Sequence, residues 1–441
     1  YDTSDGLFFE PITAEEVADT IEATGADGVM VQFGGQTSVD VGEPLEDELE
    51  RRGLDCEILG TSVDAMDLAE DRDRFNRLMT ERGISQPSGG SATSEEEALE
   101  LANDIGYPVL VRPSYVLGGR AMEVVYDDDE LREYVEEAVR VSPEKPILVD
   151  SFLAGAVELD VDAVSDGEDV LIGGIMEHVE SAGVHSGDSA CVIPPRSLDA
   201  ETLGRVREVV EEIAEALETV GLLNVQLAVK NGEVYVLEAN PRSSRTVPFV
   251  SKATGVPIAK LAARAMAGES LAEMDVAEQV PDQPSVKEVV LPFDRLPNSD
   301  PRLGPEMKST GEVMGTADSF GAAYGKAQIA AGKAIPESGT VTFDGEWDPA
   351  VREAFAAHLE VLETDDLTAA LREGKIDLLL STELESLQSA VEEEVAYIST
   401  EAAARAALEA LDAAETVEGP LAGSSVAALS DRPTTARNWG E

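Results

Sequence analysis

The residues best suited to hold a metal-bound phosphate gather in one stretch, Asn224 to Arg245, which reads NVQLAVKNGEVYVLEANPRSSR. Two β-rich runs flank an Asn231-Gly232 turn signal, so a β-hairpin is expected. The second run leaves through Glu238-Ala239-Asn240-Pro241-Arg242, with Arg245 close behind. Strand side chains alternate faces, which puts Glu238 and Asn240 on one side. Both offer hard oxygen, the kind Mg²⁺ takes when it bridges phosphates. Arg242 and Arg245 beside them suit phosphoryl transfer, which is mostly positioning and charge neutralisation. Gln226 is a candidate third ligand. A strict two-residue turn pairs it with Leu237, on the wrong face. A three-residue loop, Lys230-Asn231-Gly232 with Gly232 left-handed, pairs it with Val236 and brings it to the face of Glu238. The sequence is read as having that loop. A solvated hairpin with an acidic end has the same pattern.

Other elements must bring ligands to this hairpin. PVLVRPS (108–114) reads as a strand, followed by YVLGGR (115–120) and a second strand, Met122 to Tyr126. Such a Gly-Gly hairpin, with Arg112 before it and Arg120 after it, can fold over phosphates; an ordinary hairpin with two exposed arginines is the plain alternative. Pro146 to Leu153 reads as a strand and turn of the kind on which an adenine ring rests. Val157 to Val164 alternates, so Glu158, Asp160 and Asp162 share one face, part of which is expected to be plain solvent face. The loop Glu180 to Ser189 is polar and glycine-punctuated, and it carries His185, one of three histidines in the chain. Leu198 to Val220 is a long amphipathic helix leading into the hairpin. Near the start, Glu15 to Thr24 reads as a helix and Gly28 to Phe33 as a buried strand ending at Gly34-Gly35-Gln36-Thr37, where parallel sheets bind ligands. Glu57 to Gly60 is another strand, and Thr61 to Glu81 is helical. Composition shifts after about Ala331 to a region rich in Ala, Glu and Leu, with a strand at Ile376 to Leu380. From about Ser424 the chain looks loose.

The chain has 441 residues, 43% of them hydrophobic, which is enough for ordinary cores in two to four domains. It opens at YDTSD without Met, which suggests a fragment. No run of apolar residues is long enough to span a membrane, and no signal peptide opens the chain. Cys56 and Cys191 form no framework, and a cytoplasmic location is expected. Acidic residues number 89 against 32 basic, a formal charge of −57. They are spread along the chain, as in proteins of a salt-rich cytoplasm, since such charge needs screening. Nucleic acid is excluded as a partner for want of a basic patch.

Three runs carry a resemblance: VRPSYVLGGRAMEVVY, IGGIMEHVESAGVHSGDSACV, and NVQLAVKNGEVYVLEANPRSSRTVPFVSKATGVP. With YDTSDGLFFEPIT, VQFGGQT, SVKEVVLPF and LGPEMKSTGEVMG, they resemble the large subunit of carbamoyl phosphate synthetase over residues 1 to about 331. More narrowly they resemble its second, C-terminal ATP-grasp half, because Met-Glu-Val-Val-Tyr follows the Gly-Gly turn. The implied fold is α/β and α+β multidomain. It comprises a partial pre-ATP-grasp α/β unit (1–62), an ATP-grasp domain (63–331), and a shortened regulatory domain resembling methylglyoxal synthase (332–441).

The resemblance implies a ligase that phosphorylates carbamate with ATP, within glutamine-dependent carbamoyl phosphate synthesis for arginine and pyrimidine formation. Gln226, Glu238 and Asn240 would bind Mg²⁺ or Mn²⁺, as two ions, with K⁺ as an optional further ion. Arg112, Arg120, Ser151, Leu153, Glu158, Gly183, Val184, His185 and Ser186 would line the nucleotide site, together with Gln226 and Glu238. Arg242, Arg245 and Asn240 would act on the transferring group. Glu180 and Asp188 would take an effector such as ornithine. The implied partners are a glutaminase small subunit and the N-terminal half of the large subunit, in an oligomer. The region after about Gly332 lacks the basic residues that would hold a nucleotide effector's phosphate, so such control is not expected. Two other readings stay open. A biotin carboxylase relative would depend on biotin, which the matched loops do not support. A nucleotide-binding remnant without turnover would be favoured if Gln226, Glu238 and Asn240 failed to converge.

Overall fold

The computed structural model describes residues 4–113, 122–141, 146–296 and 299–416. Arg120 and its Gly-Gly hairpin lie outside them, as does the segment from Ser424. The chain divides into two compact units, the first comprising 1–186 and 193–281, the second 187–192 and 282–441. Among the described residues no helix is long and apolar enough to cross a membrane.

The first unit opens with the helix Ala14–Thr24, the parallel pair β1 (Gly28–Val29) and β2 (Glu57–Ile58), and the helix Gly42–Arg52. Ala18, Ile21, Leu45 and Leu49 form its small core. The expected strand over 28–33 is shorter than read, because Gln32–Gly34 is a 3₁₀ turn. The helix read over 61–81 is two, Val63–Glu70 and Arg72–Arg82. Asp71 breaks it with extended backbone, and its carboxylate caps the second helix at the Arg74 N–H.

A four-stranded sheet follows, in the order β3 (Gly89–Ala92), β6 (Ile147–Ser151), β4 (Val109–Pro113), β5 (Glu123–Val125). Its apolar face packs on the helices Glu95–Ile105 and Asp128–Val141 around Val109, Val111, Val149 and Leu131. The larger sheet of this unit runs in the spatial order β8 (Val170–His178), β7 (Val157–Asp166), β10 (Val220–Lys230), β11 (Glu233–Asn240), all antiparallel. The short strand β9 (Cys191–Ile193) lies between β8 and β10 in sequence.

One face of this larger sheet is apolar. Leu159, Val161, Ala163, Leu223, Val225, Leu227, Val234, Val236 and Ala239 pack with Val206, Val209, Val210 and Ile213 of the helix Ala200–Ala216. The other face carries Asp160 and Asp162 of β7, opposite Gln226 and Asn224 of β10, which in turn face Glu238 and Asn240 of β11. The acids of β7 are therefore not a solvent face: Asp160 is 3% exposed and Asp162 1%. After β11 the chain continues into helices Val247–Thr254 and Ile258–Met266.

The second unit holds the antiparallel pair β12 (Ser285–Val290) and β13 (Gly311–Thr316) and the helix Phe320–Ala330. It also holds a parallel sheet in the order β15 (Glu360–Val361), β14 (Thr340–Asp344), β16 (Leu378–Ser381), β17 (Ala396–Ile398). Helices Pro349–His358, Leu367–Arg372, Leu384–Glu392 and Glu401–Thr416 connect and flank it. Such alternation of strand and helix is what a parallel sheet requires, because each return to the same edge needs a crossover.

Candidate active site

The hairpin turn differs from expectation. Lys230 pairs with Glu233, so the turn is the two-residue Asn231-Gly232, and both residues have positive φ, 54° and 79°. That is a type I′ geometry, which suits the twist of the strands. Gln226 nevertheless reaches the site, because β11 carries a bulge. Leu227 pairs with Val236, yet Gln226 pairs with Glu238, leaving Leu237 as the extra residue. The bulge inverts the alternation. Val234 and Val236 face the core, whereas Glu238 and Asn240 face the opposite side. Val236 is thus neither the partner nor the face-mate of Gln226.

On that face Gln226 Nε2 and Asn240 Nδ2 both donate to Glu238 Oε1, each at 3.0 Å. Asn240 Oδ1 accepts from Arg242 Nη2 at 3.0 Å. The three candidate ligands therefore converge on one point. A half-turn of either amide presents its oxygen where its nitrogen now stands. One carboxylate and two amide oxygens are a hard donor set and fit a divalent cation such as Mg²⁺. Among the described residues no group of three or more His, Cys, Asp or Glu could hold a metal ion.

Arg112 sits on β4. Burial lowers its pKa, and the Glu238 charge opposes the shift, so guanidinium and carboxylate act on one another. Arg72, which the sequence did not single out, pairs with Asp150. Burial and the neighbouring Arg112 charge push Arg72 down to about 10. Ser151 ends β6 and donates its N–H to the Ser88 carbonyl at 2.7 Å; Leu153 accepts from the Ala156 N–H at 2.9 Å. Gly183, at φ 105°, packs on the hinge between them: a Cβ there would lie 3.1 Å from the Phe152 ring. The hinge and the loop carrying Gly183, Val184, His185 and Ser186 are thus neighbours. Glu158 lies beside His178, whose Nδ1 is 3.4 Å from Glu158 Oε2 and whose Nε2 is 2.8 Å from Asp160 Oδ2. Arg245 is exposed on the loop after β11. Glu180 is buried. Asp188, in the second unit, accepts from the Lys308 and Ser309 N–H groups at 2.7 and 2.8 Å.

Behind the ligand row lies a buried polar layer. Asp162 accepts from Asn224, Ser244 and Thr246, and Gln32 bonds to the loop after β11. Sequence reasoning assigned no role to Gln32 or Asn224, and read Gln36 only as part of the Gly34-Gly35-Gln36-Thr37 turn. Their one sequence signal is that polar residues punctuate otherwise apolar strands or a glycine turn.

In fold, the chain resembles a biotin carboxylase–β-γ-ATP complex from Campylobacter jejuni, with TM-score 0.58, 18% identity, 72% of this chain covered and 77% of that one. It also resembles the biotin carboxylase domain of Hydrogenobacter thermophilus 2-oxoglutarate carboxylase, solved with MgADP, ADP and bicarbonate. That match has TM-score 0.58, 19% identity, and covers 74% of this chain and 78% of the other. At such identities the likeness is one of fold, and the class is a mixed α/β protein of ATP-grasp type. The model of the carbamoyl phosphate synthase preATP-grasp domain matches residues 1–68, and that of the carbamoyl-phosphate synthase L chain, ATP binding domain, residues 71–274. The carbamoyl phosphate synthase large chain of Halobacterium salinarum is 70% identical over 440 residues, covering 100% of this chain and 41% of the relative. That of Methanosarcina mazei is 52% identical over 453 residues, covering 93% and 42%. The chain belongs to the carbamoyl-phosphate synthase large-chain family, and it spans about two-fifths of the length of these curated relatives. The Halobacterium relative accords with the salt-adapted composition.

Proposed function

We propose that the chain is the carbamate-phosphorylating half of a carbamoyl phosphate synthase large chain. The observation that carries this reading is the convergence of Gln226 and Asn240 on Glu238 Oε1, with Arg242 bonded to Asn240. Glu238, Gln226 and Asn240 would hold Mg²⁺ or Mn²⁺, which supplies charge neutralisation between the nucleotide's phosphates. Arg242 and Arg245 take up charge that develops on the transferring phosphoryl group, and Arg112 holds the phosphates. Arg120, after the Gly-Gly turn of the sequence, is assigned to the same set. Ser151 and Leu153 seat the adenine, Glu158 meets the ribose, and the loop Gly183–Ser186 closes over the nucleotide. The carbamate oxygen attacks directly, so the protein needs no covalent nucleophile; it orients and neutralises.

The second half is favoured over the first by Met122-Glu123-Val124-Val125-Tyr126 and by the parallel α/β sheet of residues 340–398 that follows the ATP-binding region. We assign residues 1–62 to a pre-ATP-grasp domain, 63–331 to the synthetic domain and 332–441 to a shortened methylglyoxal-synthase-like domain. The same reading makes a glutaminase small subunit and the rest of the large chain its partners, and arginine and pyrimidine formation its pathways. Glu180 and Asp188 are the candidate effector contacts.

The test is ATP formation from carbamoyl phosphate and MgADP in molar KCl, with Glu238→Ala beside the wild type. We expect ATP from the wild type and a loss on the order of 100-fold in the variant. Wild-type chain that binds MgADP yet forms no ATP overturns the reading. Biotin-dependent ATP turnover would favour the carboxylase reading that the fold neighbours raise.

A further inference from the structure

The loop from Pro241 to Thr246 has no regular structure of its own, yet Arg242 and Arg245 project from it. Groups that the reaction itself does not use pin it from two directions. From one side, Gln32 is 0% exposed; its Nε2 donates to the Pro241 carbonyl at 2.9 Å, and its backbone carbonyl accepts the Ser243 N–H at 2.9 Å. Gln36, one turn on, accepts from Arg242 Nε at 3.3 Å. Its amide nitrogen is engaged by Asp40 and Glu70, each at 2.7 Å, which turns its oxygen toward the arginine. From the other side, Asp162 Oδ1 accepts from the Ser244 hydroxyl at 2.7 Å and from Asn224 Nδ2 at 2.9 Å, while Oδ2 accepts from the Thr246 hydroxyl at 2.7 Å.

Room for Gln32 is made by glycine. A Cβ on Gly221, at φ 106°, would lie 2.3 Å from Gln32 Oε1. Buried polar groups are costly unless satisfied, so both carboxylate oxygens of Asp162 and the side-chain N–H of Gln32 hold the loop to the geometry that satisfies them. A phosphoryl-transfer arginine displaced by about 1 Å loses much of its effect.

We propose that Gln32 and Asp162 are positioning residues, a two-sided clamp on Pro241–Thr246 that fixes Arg242 and Arg245 at the phosphate site. This rests on the function proposed above. The clamp acts on the arrangement of the transition state and not on nucleotide affinity, because neither residue bonds to Gln226, Glu238 or Asn240. It also makes the Val31-Gln32-Phe33-Gly34-Gly35-Gln36-Thr37 motif a structural part of the phosphate site.

The test uses the full chain with Gln32→Leu, Asp162→Asn and the near-isosteric Thr246→Val. Three readouts are taken: ATP formation from carbamoyl phosphate and MgADP, MgADP affinity by calorimetry, and amide hydrogen exchange. We expect kcat to fall about tenfold or more with the KM for MgADP changed by less than about threefold. Exchange at Ser243 to Thr246 should rise about tenfold, with the helix Ala200–Ala216 unchanged. Unchanged kcat, an effect confined to KM, or exchange that does not rise selectively in the loop overturns the clamp. Should Gln32→Leu fail to fold, Thr246→Val and Ser244→Ala decide the matter by the same readouts. Should the wild type form no ATP, the proposed function fails, while loop exchange in the variants still decides whether the clamp exists.

Discussion

Two amides meet a single carboxylate oxygen at Glu238, and immediately behind them Asp162 is buried among hydroxyl and amide donors. Burial pushes Asp162 up to about 6; the hydrogen bonds from Thr246, Asn224 and Ser244 resist the shift, and the Asp160 charge adds to it. The unfolded chain would titrate near the ordinary aspartate value of about 3.9. Between roughly pH 4 and 6 the folded state therefore binds more protons than the unfolded state. The stabilising effect of that proton is complete below the unfolded pKa and lost as pH rises through the folded one. Measured against Asp162→Asn, which cancels the titration of the other acids, wild-type stability should fall by about 2 kcal/mol from pH 4 to pH 7. Chemical denaturation at constant high salt measures it. A difference that is flat with pH would show that Asp162 does not titrate in this range.

Register decides the site at the level of the hairpin. The Asn231-Gly232 turn sets one pairing and the Leu237 bulge shifts it by a residue, so deleting Leu237 should make the strand regular and leave Glu238 and Asn240 on the face of Gln226. The expected outcome is MgADP-dependent activity kept within about tenfold of the wild type, read by the ATP-forming assay beside a check of folding, and a loss on the order of 100-fold would show that the bulge itself shapes the site. Gly232→Ala acts on the turn alone. Its Cβ meets open space, so its cost is the positive φ, about 1 kcal/mol. Denaturation should show that loss with MgADP affinity unaltered.

A second element contact lies in the other unit. The helix Phe320–Ala330 approaches the helix Glu401–Thr416 so closely that a Cβ at Gly321 would lie 2.0 Å from the Glu409 carbonyl oxygen. Backbone cannot yield as a side-chain tip can. Gly321→Ala should destabilise this unit by about 2 kcal/mol or more, seen as an earlier transition in calorimetry. An unshifted transition would mean the helices part freely.

Over the whole molecule the charge of −57 governs behaviour. The scarce cations are shared between acids. Arg74 reaches Asp64 at 2.8 Å and Asp67 at 2.6 Å, and Arg405 reaches Asp348 at 2.6 Å and Glu401 at 2.5 Å. These pairs are exposed, and each contributes little. The unpaired acids repel, and screening shortens from about 10 Å at 0.1 M salt to about 3 Å at 1 M. Raising KCl from 0.1 to 2 M should lift Tm on the order of 10 °C. A Tm indifferent to salt would show the repulsion to be balanced within the fold.

The mixed α/β class, the hairpin, the shared face of Glu238 and Asn240 and the acidic charge are legible in the sequence, whereas the local argument for Gln226 rested on a turn that the fold does not have. Each of the legible features is written in local periodicity, turn chemistry or composition. The sequence placed Glu158, Asp160 and Asp162 on one face but took part of that face for solvent, because alternation shows that side chains share a side and not what covers it. It read the turn as three residues because a bulge has no separate signature: Leu237 looks like any strand residue until its partners are known. The roles of Gln32 and Asp162 were likewise decided by tertiary structure alone. Gln32 bonds across 209 positions and Asp162 across as many as 84, and no local pattern records a hydrogen bond that exists only once distant strands have met.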